Sequence, residues 1–358
     1  MEESSGDVLV SHEADQALPI ASATKLMTAH VAMRALDPRE SVTAAPYDAG
    51  PGESLMGLKP GEQVAARDLF YGLLVASGND AATTLAIRVS GSIPGFVARM
   101  NREAHRLGLD DTTYSDPIGL DDGNVSSARD LVSLATTLRE DRLFREIVDT
   151  PRVTVHLAGG PERLVNRNTL VLEEPFVDGV KTGTTVAAGF ILVASAAKHE
   201  AEFVSAVLGA PTESDRDEAT LALLRYGAAL YRPRVLVKEG EVVASLALGG
   251  GRGRLLLIAS ESFEAVALPG QGVRMEFDPP DPPDGAIAKG VKLGTAIVTV
   301  AGEEVGKVVV VAARSAPARP EQGGDGLPGW AWGAFGVAGL LAVGLATRAV
   351  AISRGRPR

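Results

Sequence analysis

FILVASAAKHEAEFVSAVLGA, residues 190–210, is the stretch on which the fold reading turns. Two short apolar runs, FILVASAA (190–197) and EFVSAVLGA (202–210), flank the polar KHEA. Runs of this length, rich in Val, Ile and Phe, are strands, and so short a polar link makes them antiparallel neighbours. Helical periodicity surrounds the pair. SATKLMTAHVAMRAL (22–36), ARDLFYGLLVASG (66–78), ARDLVSLATTLRED (128–141) and ESDRDEATLALLRYGAALY (213–231) carry apolar residues at helical spacing. Ser22, at the start of the first, is expected to cap it. The predicted class is α+β, an antiparallel sheet flanked by helices, over residues 1–232.

Beyond Pro233 the pattern shifts to short strands between Gly and Pro turns: RVLVKEGEVV, RLLLIAS, VRMEFD and the hairpin AIVTVAGEEVGKVVVVAA. In VRMEFD, Val273, Met275 and Phe277 alternate with polar residues as in a half-buried strand. A small all-β domain over 233–313 follows, then a flexible tether over 314–329 with little apolar matter. Residues 330–347, WAWGAFGVAGLLAVGLAT, carry no charge. As a helix this stretch reaches about 27 Å, enough to cross a bilayer. Trp330 and Trp332 mark one edge, and the arginines of the basic tail 348–358 the other, so the tail is expected in the cytoplasm and the catalytic part outside it. Such a protein needs an export signal, and MEESSGDVLVSHEAD has neither a basic start nor an apolar core; the chain is expected to lack its true N-terminus.

Composition narrows the chemistry. A formal net charge of -10 removes the electrostatic footprint that nucleic acid would require, so no nucleic-acid partner is expected. With no Cys and 5 His, none paired at ligand spacing, no metal and no cofactor is expected; Ser, Lys and carboxylates must carry any reaction.

Ser22 and Lys25, three apart on a helix, project from one face within reach of each other. A lysine can take the hydroxyl proton when it is neutral, which needs desolvation or a neighbouring cation. The spacing alone decides little, since Ser195 and Lys198 repeat it in a strand, where side chains three apart point to opposite faces. Two further elements distinguish the first pair. Ser77-Gly78-Asn79 ends an apolar helix with a hydroxyl and an amide able to relay a proton and hold a substrate amide. Lys181-Thr182-Gly183 precedes the strand FILVASAA with a cation, a hydroxyl and a glycine that lets a substrate backbone approach. Asp178 and Asp80 are better read as turn or capping residues than as general acids.

Ser-x-x-Lys, Ser-x-Asn and Lys-Thr-Gly, in that order, are elements of class A β-lactamases and penicillin-binding proteins. With PIASATKLMTA, GESLMGLKPGEQVAARDLFYGLLVASGNDAA, YSDPIGLDDGNVSSARDL and FVDGVKTGTTVAAGFILVASA, the chain resembles the serine-type D-alanyl-D-alanine carboxypeptidases, low-molecular-mass penicillin-binding proteins. The resemblance covers nearly everything before the tether, and more loosely the β domain. It implies a β-lactamase/transpeptidase-like fold with a helical subdomain. It implies that Ser22 is acylated with Lys25 as its base, that Ser77 and Asn79 line the second wall, and that Lys181 and Thr182 hold a terminal carboxylate. The backbone N–H groups of Ser22 and Thr184 would form the oxyanion hole. The implied partners are peptidoglycan stem peptides, and β-lactam antibiotics as covalent inhibitors. Thr184 stands where many members carry His or Tyr, and Asp116 where Asn is usual. A β-lactamase would need a deacylating carboxylate, for which Glu173 and Glu174 are poorly placed just before the KTG strand; a wall-binding protein with a dead site would not need the three motifs intact.

Overall fold

The computed structural model describes residues 1–199 and 201–320. From β1 (Leu18–Pro19) the chain passes through a 3-10 turn at Ala21–Thr24 into α1 (Lys25–Met33). The strands β2 (Ser41–Thr43) and β3 (Gln63–Ala65) pair, and α2 (Ala66–Leu74), α3 (Asn79–Ser90) and α4 (Ile93–Arg106) follow. β4 (Val125–Ser126) returns to pair with β1. Next come α5 (Ala128–Arg139), α6 (Arg142–Val148), the hairpin of β5 (Arg152–Leu157) and β6 (Gly160–Val165), and the single turn α7 (Leu170–Glu173). The antiparallel sheet is built of β7 (Val177–Thr185), β8 (Gly189–Lys198) and β9 (Ala201–Ala210), in that order, and α8 (Glu213–Leu230) packs on it.

The apolar run in β8 has a direct structural cause: both faces of the strand are covered. Ile191 and Val193 join the core made with α1 to α5, whereas Leu192, Ala194 and Ala196 face the second core with Leu224 and Ala228 of α8. The period of two along a strand sends alternate side chains to opposite cores, so polar residues disappear from both. Local capping agrees with the helix starts: Ser127 Oγ accepts from the Asp130 N–H and Thr212 Oγ1 from the Asp215 N–H. Ser22 is different. It lies inside the 3-10 turn before α1, and its hydroxyl caps no helix.

The KTG residues precede the FILVASAA strand, as expected, and form a strand themselves. They lie within β7, at the sheet's edge, with Lys181 opposite Val193 and Gly183 opposite Ile191. β7 is thus an edge strand of this sheet, and its Gly183 lies against the turn that carries Ser22.

The C-terminal third forms β10 (Arg234–Val237), β11 (Val242–Ala247), β12 (Arg254–Ala259), β13 (Phe263–Ala265), β14 (Val273–Glu276), β15 (Lys292–Val300) and β16 (Glu303–Ala312). Five of them make one antiparallel sheet, ordered β11-β12-β16-β15-β14. Val273, expected inward, is 39% exposed, while Met275 and Phe277 pack against the cores. Of the expected tether, 314–329, residues 321–329 lie outside the described residues; in the part described, Ala316 bridges Ile287 through the backbone and Arg319 pairs with Asp284. No helix among the described residues is long and apolar enough to cross a membrane. The expected membrane helix, 330–347, and the tail, 348–358, lie outside the described residues.

Candidate active site

Three polypeptide segments converge on the 3-10 turn that carries Ser22. A side chain at Gly183 of β7 would place its Cβ 3.0 Å from the Ile20 carbonyl oxygen and 3.1 Å from the Ser22 nitrogen. On the other side, a Cβ at Gly119 would fall 1.9 Å from the Ala21 carbonyl oxygen, and Gly119 also has a φ of 86°. Two glycines thus clamp the turn, and Ala21 is held at a φ of 45° between them. Gly183 accordingly serves the close approach of the protein's own turn.

Lys25 begins α1 and is fully buried. Its Nζ lies 3.0 Å from Ser22 Oγ, donates to Asn79 Oδ1 at 2.7 Å and to the Ile118 carbonyl at 2.6 Å. This geometry accommodates both protonation states. As an ammonium, Lys25 has three N–H donors and three acceptors. As a neutral amine it keeps two donors, for Asn79 and Ile118, and turns its lone pair to the Ser22 hydroxyl. Burial lowers the Lys25 pKa to about 7, against the opposing pull of Asp116, Glu53 and Asp80. The principal cause is desolvation, whereas a neighbouring cation is the other route available to such a lysine. Lys181, also buried, has its own pKa lowered, first by burial and then by repulsion from Lys25, Arg167 and Arg216. It is held by a 2.7 Å bond to the Thr182 carbonyl.

Asn79 opens α3, and its Nδ2 donates to Glu53 Oε2 at 2.8 Å while its backbone N–H donates to the Ser54 carbonyl. Asp80, next in the chain, accepts from the N–H groups of Met56, Gly57 and Leu58. It is a clasp for the 53–58 loop, in keeping with the turn role expected for it. Asp116 does the same for the loop opposite: its carboxylate takes the N–H groups of Ile118, Gly119, Leu120 and Asp121. An amide could offer one such oxygen, not two. That loop presents both Gly119 and the Ile118 carbonyl, so Asp116 organises the pocket around Lys25.

The structure therefore joins Ser22, Lys25 and Asn79 directly, with Gly183 against the same turn. Thr182 is buried beside Lys181, and Thr184 is exposed farther along the same edge. Ser77, buried between α2 and α3 with a φ of 60°, makes no side-chain hydrogen bond to the others among the described residues. The second Ser-x-x-Lys is split: Ser195 is buried and Lys198 exposed. Ser195 Oγ donates to Asp178 and accepts from Arg139, whose guanidinium also meets Glu3 and Glu202. Asp178 belongs to that ion cluster. Glu174 pairs with Arg225 at the surface. Among the described residues no His, Asp and Glu group is placed to hold a metal ion.

Sequence reading missed Tyr47, Glu53 and the Ile118 carbonyl. A backbone acceptor carries no residue-type signal. Glu53 and Tyr47 belong to a loop without periodicity, which becomes part of the site because Asp80 ties it down.

The protein family matching residues 1–212 is described as D-alanyl-D-alanine carboxypeptidase. The chain is 32% identical to the D-alanyl-D-alanine carboxypeptidase DacF of Bacillus subtilis over 325 residues, 87% of this chain and 83% of that protein. It is 38% identical to DacC of Escherichia coli over 251 residues, 66% and 62% of the two chains. Among solved structures, penicillin binding protein 5 from Haemophilus influenzae superposes with a TM-score of 0.62 at 29% identity, covering 88% of this chain and 96% of that one.

Proposed function

The chain belongs to the D-alanyl-D-alanine carboxypeptidase family, and from that premise we propose that it removes the terminal D-alanine of peptidoglycan stem peptides through an acyl-enzyme on Ser22. Neutral Lys25 takes the Ser22 proton as Oγ attacks the carbonyl between the last two D-alanines. The developing oxyanion is met by the N–H groups of Ser22 and Thr184. The proton then passes from Lys25, with Ser77 as relay, to the leaving amine, and D-alanine departs. Water, activated by the same lysine, hydrolyses the ester and restores Ser22. Lys181 and Thr182 hold the terminal carboxylate, Gly183 lets the peptide lie along the open edge of β7, and Asn79 gives its second Nδ2 proton to the substrate amide.

The observation that carries this reading is the buried Lys25 amine, 3.0 Å from Ser22 Oγ with its other two positions already accepted. β-Lactams present a strained amide and a carboxylate to the same groups and so acylate Ser22. A fluorescent penicillin should label the wild-type protein and not Ser22→Ala; labelling of the variant would overturn the assignment. Release of D-alanine from a D-alanyl-D-alanine stem peptide should be lost in parallel.

The division into a catalytic part over 1–232 and a β domain over 233–313 follows from the same reading. The charge-free run 330–347 with its basic flank supports a membrane anchor that leaves the catalytic part outside the cytoplasm. Labelled protein should sediment with membranes of the native cell, and truncation at Gly329 should release it.

A further inference from the structure

We propose that Glu53 is a positioning residue for the acylation step: its carboxylate holds the Asn79 amide in the one orientation that leaves the Lys25 lone pair free for Ser22. The inference rests on the reading of Ser22 as nucleophile and Lys25 as its base.

The Glu53 carboxylate accepts from Asn79 Nδ2 at 2.8 Å, from the Gly50 N–H at 2.8 Å and from the Tyr47 hydroxyl. Asn79 lies between this carboxylate and Lys25. In the observed orientation its Oδ1 faces the lysine and its Nδ2 the carboxylate, a donor meeting an acceptor on both sides. Rotated by half a turn, the amide would set Oδ1 against a carboxylate, and Nδ2 would point at Lys25. Against an ammonium that rotation fails on both sides. Against the neutral amine it fails on one side only, because Nδ2 could donate to the nitrogen lone pair. The lone pair would then be occupied when Ser22 needs it. Glu53 is what penalises the rotated amide in the reactive protonation state.

The loop is built to keep the carboxylate there. Asp80 accepts three N–H groups at positions 56–58, and the Asn79 N–H bonds to the Ser54 carbonyl, so Glu53 and the residue it orients share one support. Tyr47 and Gly50 donate to two more of its lone pairs and fix the rotamer. Asp116, Glu53 and Asp80 face Lys25 as negative groups and Lys181 as a positive one. Removing the Glu53 charge therefore also shifts the lysine toward its neutral form at lower pH.

The test measures the acylation rate with fluorescent penicillin from pH 5 to 9 in the full chain, for Glu53→Gln, Glu53→Asp, Asn79→Ala and the double variant Glu53→Gln/Asn79→Ala. A Gln side chain can donate to a rotated Asn79, so Glu53→Gln should lower the plateau rate about tenfold, the effect of one hydrogen-bond-scale preference. Its acidic limb should move to lower pH, and Glu53→Asp should recover most of the rate. In the Asn79→Ala background Glu53→Gln should leave the plateau unchanged. A wild-type plateau in Glu53→Gln, or the same fall in the Asn79→Ala background, overturns the proposal. So does a fall in rate that tracks a fall in melting temperature across the variants. Persistent labelling of Ser22→Ala would instead sink the underlying assignment, which separates the two failures.

Discussion

Replacing Gly183 with Ala should slow acylation more than it weakens the fold. The added Cβ would stand 3.0 Å from the Ile20 carbonyl oxygen, 3.1 Å from the Ser22 nitrogen and 3.2 Å from Ala21 Cβ. None of these atoms ends a flexible side chain, so relief requires the Ala21–Thr24 turn and β7 to separate. Restoring ordinary contact, near 3.5 Å, takes roughly 0.3–0.5 Å. Overpacking of this kind costs about 1–3 kcal/mol, and in a unit of this size should lower the melting temperature by roughly 3–10 °C. Ser22 rides on the displaced turn while Lys25 is fixed by Asn79 and Ile118. A misplacement of about 1 Å costs on the order of a hundredfold in rate, so about half that should cost roughly tenfold. The assay pairs penicillin acylation under excess ligand with thermal unfolding. Wild-type acylation in a Gly183→Ala protein, whether or not it is destabilised, would refute the idea that this glycine sets the position of Ser22.

Acylation should rise with pH through about 7, because the base works as the neutral amine and burial holds the Lys25 pKa there. The same depression means that between about 7 and 10.5 the unfolded chain binds a proton that the folded chain does not, so Lys25 makes stability increase with pH across that window; Lys25→Met should flatten this part of the urea-denaturation profile. Arg139→Ala strands Asp178, Glu3 and Glu202 around an emptied buried site and should cost about 3–5 kcal/mol by chemical denaturation. Ser195→Ala should retain penicillin labelling, losing about 1 kcal/mol of stability with its bonds to Arg139 and Asp178, which separates the structural Ser-x-x-Lys from the reactive one.

Much of the architecture is legible along the chain because it is local. The runs at 190–197 and 202–210 become β8 and β9, paired antiparallel, and two of the four helical stretches start where Ser127 and Thr212 supply caps. Errors occur where a neighbour distant in sequence overrides the local pattern. Ser22 has the composition of a helix cap, yet Gly183 and Gly119 compress its segment into a 3-10 turn and leave its hydroxyl to Lys25. At the end of α5, Arg139 is buried among three carboxylates from elsewhere in the chain, which no local pattern announces.

The sequence by itself determined the inventory: two Ser-x-x-Lys spacings, one Ser-x-Asn, one Lys-Thr-Gly and their order. It also determined periodicity, since apolar side chains must fall on the buried face of each helix and strand. Which serine lies beside a buried lysine amine was decided by tertiary structure. The lowered pKa of Lys25 depends on removing its amine from water, where Asn79 and Ile118 accept its hydrogen bonds. Those partners lie 54 and 93 residues away, so no local pattern could place them beside the lysine.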